Sequence, residues 1–375
     1  MPAAARRILL GLAVAVGISS DLHPAGGVRA APTRPGATAA PAPRGSAPTT
    51  SVATVSRQKP PPAPATKRAR TVPTVGLASA AAKLGLKLSV DRPGRMIELT
   101  DGSRRMELEL DSRETKINGL RFFLGEPVTS KGGGFQISHT DYESCLVPLL
   151  KPALAPNRPP EPKIIALDPG HGGSDTGTQN PRLGLQEKMF TLDVVLRLKK
   201  LLEFRGYTVV LTRDADEKVD LPQRAIIANR AQADLFVSVH FNSLYPDTKT
   251  SGAEVFTFTR AGQRSDQSRG FGQEDDTEDD PAPVNRYDVW SVALAQALHR
   301  ETIEGLQLPD RGHKTKHLGM LRGLQCPAAL VESGFLSNDA EAKKISTEAY
   351  RQKIAEVLAS GIERYASVVR TLRRK

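Results

Sequence analysis

From residue 163 onward the chain repeats one pattern, a short apolar run followed by a stretch with helical apolar spacing, and this repetition limits the fold more than any other feature. Ile164 to Leu167 is an apolar run broken by Asp168-Pro169-Gly170, the form taken by a strand buried on both faces. A helix from Lys188 to Phe204 follows, closed by Gly206, then a strand from Thr208 to Leu211. Next come a helix from Pro222 to Gln232, with proline in its first turn, and a strand from Leu235 to Val239. Glu254 to Phe258 reads as a strand, Val289 to Leu306 as a helix and Ala328 to Val331 as a strand. The end, about Thr347 to Leu372, is a helix with Ile354, Val357, Leu358, Ile362 and Tyr365 at core spacing. This order predicts an α/β fold, a mostly parallel twisted sheet with helices on both faces. Carboxyl ends of neighbouring strands then share one edge, and polar groups that follow them converge there.

The first 162 residues follow other rules. Arg6-Arg7, the apolar run Ile8 to Ile18 and the small residues around Ala30 form a secretory signal over residues 1–30. That run is too short to cross a bilayer, so no stable membrane insertion is expected after cleavage. Residues 31–74, rich in Pro, Ala and Thr, cannot bury enough apolar surface to offset chain entropy and read as a disordered tether. Residues 75–150 form a small α+β domain: a helix from Leu77 that ends at Gly85, then alternating runs such as Met96 to Leu99 and Met106 to Leu110. Asn118-Gly119 between Thr115-Lys116-Ile117 and Leu120 to Leu124 is a strong hairpin signal. This segment resembles the copper amine oxidase N-terminal-like domain, which implies a packing or wall-docking role, and its lone His139 reads as a surface residue. The Pro-rich stretch 151–162 is a linker to the domain 163–375.

Cys145 and Cys326 are the only cysteines, which excludes a disulfide scaffold and leaves a single bridge open. A net charge of +11 would suit nucleic acid, but export excludes that partner and favours an acidic envelope polymer. Between Arg260 and Asn285 the strand and helix pattern stops; Gln273 to Asp280 is an acidic run, read as a solvated loop with a gating role as the sharper alternative.

Three potential metal ligands stand at element ends. His171 follows the first strand, Glu187 precedes the first long helix, and His240 follows Leu235 to Val239. Singly each has a plain structural reading: a turn histidine, a helix N-terminal acid favoured by the dipole, a strand-end cap. Jointly they make two imidazoles and one carboxylate, the set that catalytic zinc prefers because it leaves a position for water. Glu332, after the strand Ala328 to Val331, is placed as the proton shuttle, against the alternative of an ion pair with Arg322.

The same residues carry a family resemblance. The blocks LDPGHGGSDTG (167–177), QEKMFTLDVVLRLKKLL (186–202), GYTVVLTRDAD (206–216), LPQRAIIANRAQADLFVSVHFNS (221–243), SGAEVF (251–256), DRGHK (310–314) and PAALVESGFLSN (327–338) resemble the zinc N-acetylmuramoyl-L-alanine amidases of the amidase-3 type. The resemblance implies zinc on His171, Glu187 and His240, catalysis by Glu332, and hydrolysis of the amide between N-acetylmuramic acid and L-alanine of the peptidoglycan stem peptide. It implies peptidoglycan as partner and leaves any activator protein unspecified, while the signal at residues 1–30 places the enzyme in the periplasm, envelope or medium. Arg224 and Asn229 are expected to orient the loop after the strand, and Asn242 to touch substrate or support His240. His313 and His317 are expected at the surface, with contact to substrate as the alternative for each. Two rival readings are a zinc peptidase acting on another envelope amide, and a non-catalytic wall-binding regulator; the second predicts missing ligands, and none is missing.

Overall fold

The computed structural model describes residues 71–266 and 276–374. The signal reading of residues 1–30 and, up to residue 70, the tether reading of 31–74 lie outside the described residues; at the tether's end Pro73 O accepts from His139 N and Thr74 opens a strand. The first helix, α1 (Leu77–Leu84), is closed by Gly85 in the left-handed conformation. Around it run β1 (Thr74–Gly76), β2 (Lys87–Val90), β3 (Met96–Thr100), β4 (Arg105–Glu109), β5 (Glu114–Ile117), β6 (Leu120–Phe123), β7 (Thr129–Lys131) and β8 (Gly134–Ser138). The Asn118-Gly119 hairpin forms with both residues at positive φ, 50° and 83°, as a two-residue turn of that sequence requires.

The second half contains β9 (Ile164–Pro169), the ribbon β10 (Gln179–Asn180) and β11 (Leu185–Gln186), α2 (Glu187–Phe204), β12 (Thr208–Leu211) and α3 (Leu221–Arg230). It continues with β13 (Leu235–Asn242), β14 (Ala253–Phe258), α4 (Asp288–Leu306), β15 (Asp310–Lys316), α5 (Gly319–Arg322), β16 (Ala328–Phe335), α6 (Asp339–Ile345) and α7 (Glu348–Arg373). Eleven strands make one mixed sheet in the order β12-β9-β13-β16-β14-β15-β6-β5-β4-β3-β2. β12, β9, β13 and β16 are parallel, and β14 runs antiparallel to β16.

Alternate residues of the central strands feed two cores, which is why these strands read as continuous apolar runs. Ile165, Leu167, Val237, Val239 and Val331 pack with α2, α4 and α7. Ala166, Phe236, Ala328 and Leu330 pack with Ala225 and Ala228 of α3 and Met320 and Leu321 of α5. Helices thus cover both faces, as expected. The larger core also takes in Leu77, Leu99, Leu108 and Phe122, so residues on both sides of the Pro-rich stretch share one sheet and one apolar cluster. That stretch is itself held: Trp290 Nε1 donates to the carbonyls of Pro156 (3.2 Å) and Asn157 (3.0 Å), and Arg158 Nη1 to Leu372 O (2.6 Å) near the end of α7.

Two readings need correction, those of β15 and His313. β15 does not show in the sequence, because Asp-Arg-Gly-His-Lys-Thr-Lys carries neither an apolar alternation nor an apolar run; pairing with β14 and, at His313, with Phe122 of β6 makes it a strand. His313 is accordingly buried at 1% exposure, edge-on to Phe122 at 4.8 Å and 3.1 Å from Thr257 Oγ1, rather than at the surface. The segment after Arg260 leaves from the far end of β14, opposite the edge that carries Glu254 and Glu332. Its described residues are tied down there, Asp276 to His317 at 3.3 Å and Glu278 to Arg322. Both cysteines are buried and free, so no bridge forms.

Candidate active site

Register brings the polar residues together on the face of the smaller core. Asp168 lies beside Ser238, His240 beside Glu332, and Glu332 beside Glu254. The apolar residues of that face stop at Leu330 and Phe256. One step further toward the carboxyl ends the same face carries acids and an imidazole.

The loop after β9 is fixed from beneath. His171 has φ 62°, a left-handed conformation that costs a residue with a Cβ about 1–2 kcal/mol. Arg224 Nη2 donates to His171 O (2.9 Å) and Nη1 to Pro169 O (2.9 Å) and Asp168 Oδ1 (2.6 Å). Arg213 donates to Pro169 O, Gly170 O and Lys188 O at 2.8–3.0 Å. Both guanidinium groups are buried, so the turn's carbonyls are satisfied by rigid donors instead of water. Arg224 thus has the orienting place expected of it. Asn229 bonds elsewhere, to Gly323 O and Gln325 N ahead of β16.

Glu187 opens α2, where the helix dipole favours an anion, and its carboxylate is the centre of the cluster. Oε1 faces His240 Nδ1 at 3.0 Å and accepts from Phe241 N at 2.9 Å; Oε2 faces His171 Nε2 at 3.1 Å and accepts from Thr178 N at 2.8 Å. Burial alone would raise its pKa, but the two imidazoles hold it well below the usual carboxylate range. His171 is lifted above its ordinary value: burial opposes this, and Glu187 and Asp175 outweigh it. Asp175 Oδ2 takes His171 Nδ1 at 2.9 Å, which leaves Nε2 directed at the cluster.

Ligand atoms of His171, Glu187 and His240 all lie within 4.8 Å of one another. Two imidazole nitrogens and an ionised carboxylate, buried on one side and half-open at His171, fit a zinc ion by number and chemistry of donors. Two glycines make room: a Cβ at Gly170 would stand 2.2 Å from His240 Cε1, and one at Gly177 2.6 Å from Glu187 Oε2.

Glu332 is partly exposed, yet its Oε2 is buried with no hydrogen-bond partner among the described residues. Burial pushes its carboxyl well up, the charges of Glu187 and Glu254 push further, and Lys316 opposes them. The alternative partner Arg322 is engaged by Glu278 instead. Asn242 Nδ2 donates to Glu254 Oε1 and bonds neither imidazole; Glu254 also takes Lys314 Nζ. Sequence reasoning left Asp175, Arg213 and Glu254 without roles. Only Asp175 carried a local signal, four residues after His171 in a glycine-rich turn.

A helix-covered mixed sheet that gathers two histidines and two glutamates at the carboxyl ends of its strands is an α/β enzyme scaffold. Residues 165–364 match the family model for N-acetylmuramoyl-L-alanine amidase, and the chain belongs to this amidase-3 family. It is 32% identical over 209 residues to the sporulation-specific N-acetylmuramoyl-L-alanine amidase of Bacillus subtilis (strain 168), covering 55% of this chain and 69% of that one. It is 34% identical over 202 residues to the N-acetylmuramoyl-L-alanine amidase CwlM of Bacillus licheniformis, covering 53% and 67%. A solved N-acetylmuramoyl-L-alanine amidase from Clostridium difficile 630 matches with 28% identity and a TM-score of 0.46 over 55% of this chain and 98% of that one. The chain is accordingly a hydrolase of peptidoglycan that acts at the N-acetylmuramoyl-L-alanine amide.

Proposed function

We propose that this amidase is zinc-dependent, with His171, Glu187 and His240 as the metal ligands and Glu332 as the residue that moves the proton. The observation that carries the reading is the approach of both imidazoles to one ionised carboxylate, at 3.0 and 3.1 Å. Zinc bound there supplies a Lewis acid for the lactyl carbonyl and water acidic enough to attack near neutral pH. The chain's own residues do the remainder. Asp175 holds His171 in one tautomer, Arg213 and Arg224 hold the turn that aims it, and Glu187 is kept charged by its neighbours. Glu332 takes the proton of the attacking water on Oε2 and passes it to the departing alanine nitrogen. Asn242, next to Glu254 at the edge of the site, is proposed to contact substrate.

The exported state, through the signal at residues 1–30, is part of the same proposal, since the substrate is the envelope polymer. So is the organisation of the chain: a tether over 31–74, a copper amine oxidase N-terminal-like module over 75–150, and the catalytic domain over 163–375. In this organisation the module braces the β15 edge of the catalytic sheet and meets the wall.

Digestion of purified sacculi should release peptides with an N-terminal alanine and glycan with a free lactyl carboxylate, read by product mass. Fragments cut between amino acids would instead assign a peptidase. His171→Ala should lose bound zinc by elemental analysis together with activity; retention of stoichiometric metal would remove His171 from the ligand set. Gly170→Ala should displace the His240 ring and cut kcat/KM by roughly a hundredfold with the fold retained, since errors of about 1 Å in such a site cost that much. Wild-type rates in that variant would show that the ring's placement is not critical.

A further inference from the structure

β14 and β15 run parallel with Phe256 beside Lys314 and Phe258 beside Lys316, so both lysines share the face of Glu254 and Glu332. Their ammonium groups flank one ring, at 6.0 Å and 5.8 Å from the Phe256 centroid. Their electrostatic situations differ. Lys314 is spent on Glu254, which Arg311 also approaches at 3.7 Å. The Lys316 ammonium has no hydrogen bond or ion pair among the described residues, and its positive charge reaches the Glu332 carboxylate. Among the described residues, two acids, Glu254 and Glu332, thus lie near three bases, Arg311, Lys314 and Lys316, and the ammonium left over stands beside the Phe256 ring.

Geometry assigns this cation to one half of the substrate. Glu332 donates to the departing nitrogen, so the peptide leaves on the Glu332 side, toward β14 and β15, while the histidines lie on the other side, on β13 and after β9. Phe256 is one strand across and two residues along from Glu332, roughly 8 Å by ordinary sheet spacing. An extended peptide covers about 3.4 Å per residue, so the second residue beyond the scissile amide falls over Phe256. In the stem peptide that residue is acidic. We propose that Lys316 is the anchor for the free carboxylate of the second stem-peptide residue, with the Phe256 ring as the apolar floor beneath it. The proposal rests on the amidase reading above and adds a determinant of wall chemotype: a carboxylate in this position is preferred over its carboxamide.

The test compares two soluble muramoyl peptides that differ only in that group, a carboxylate in one and a carboxamide in the other, with products identified by mass. The wild-type enzyme should favour the acid by about tenfold in kcat/KM, expressed in KM, the size expected of one charge-assisted hydrogen bond. In Lys316→Ala the ratio should fall to about one, and in Lys316→Arg it should return. An unchanged ratio in Lys316→Ala overturns the proposal. So does an equal fall in kcat on both substrates, which would mean that Lys316 acts only through the charge of Glu332. If wild-type enzyme releases no lactyl carboxylate from either peptide, the amidase reading fails first and the anchor with it.

Discussion

Glu332→Gln is expected to lower turnover by about 10²–10⁴-fold, the range of a lost general acid–base group, with zinc content unchanged. Glutamine keeps the shape of the side chain and cannot accept the water's proton. The surroundings make this a clean experiment. Glu332 Oε2 has no partner to lose among the described residues, and burial and the charges of Glu187 and Glu254 push its carboxyl up. With no described partner lost, the variant should unfold at the temperature of the wild type. Activity lost together with thermal stability would indicate a structural residue; activity retained would end the proton-transfer assignment.

How far the sequence reveals this molecule depends on whether contacts are local. Val237 and Val331 sit in runs whose every residue is buried, so their strands show without further information. His171, His240 and Glu332 follow such runs, and the topology of a parallel sheet is enough to bring them to one edge. β15 is different. Asp310, Arg311, His313, Lys314 and Lys316 have polar side chains with no apolar face, and only β14 on one side and Phe122 on the other make the segment a strand. That is also why His313 reads as a surface residue and is buried. Arg213 and Glu254 were not legible because their partners are remote, Gly170 lying 43 positions from Arg213 and Lys314 lying 60 from Glu254. The Pro-rich stretch 151–162 reads as a boundary from composition, yet its backbone carbonyls satisfy the Trp290 indole.

Asp141→Ala is expected to destabilise the chain by about 3–5 kcal/mol, the cost of stranding a buried charge. Asp141 is fully buried and accepts from Gly125 N (2.7 Å), Glu126 N (3.0 Å) and Ser138 Oγ (2.7 Å), which fold the loop after β6 against the helical turns that follow β8. Across the join it lies 3.8 Å from Arg260 Nη1 at the end of β14. Burial opposes the charge on Arg260, and Asp141, Asp288 and Asp266 sustain it. Alanine removes Asp141 from this set together with the hydrogen bonds from Gly125, Glu126 and Ser138, so the loss exceeds that of a surface ion pair several-fold. For a folded unit of this size the melting temperature should fall by roughly 10 °C, measured by calorimetry on the full chain. Because Arg260 follows β14 directly and β14 carries Glu254, heating should abolish amidase activity along the same shifted curve. Separate transitions for activity and for global unfolding would mean that residues 75–150 and the catalytic sheet melt independently, and that the shared core does not couple them.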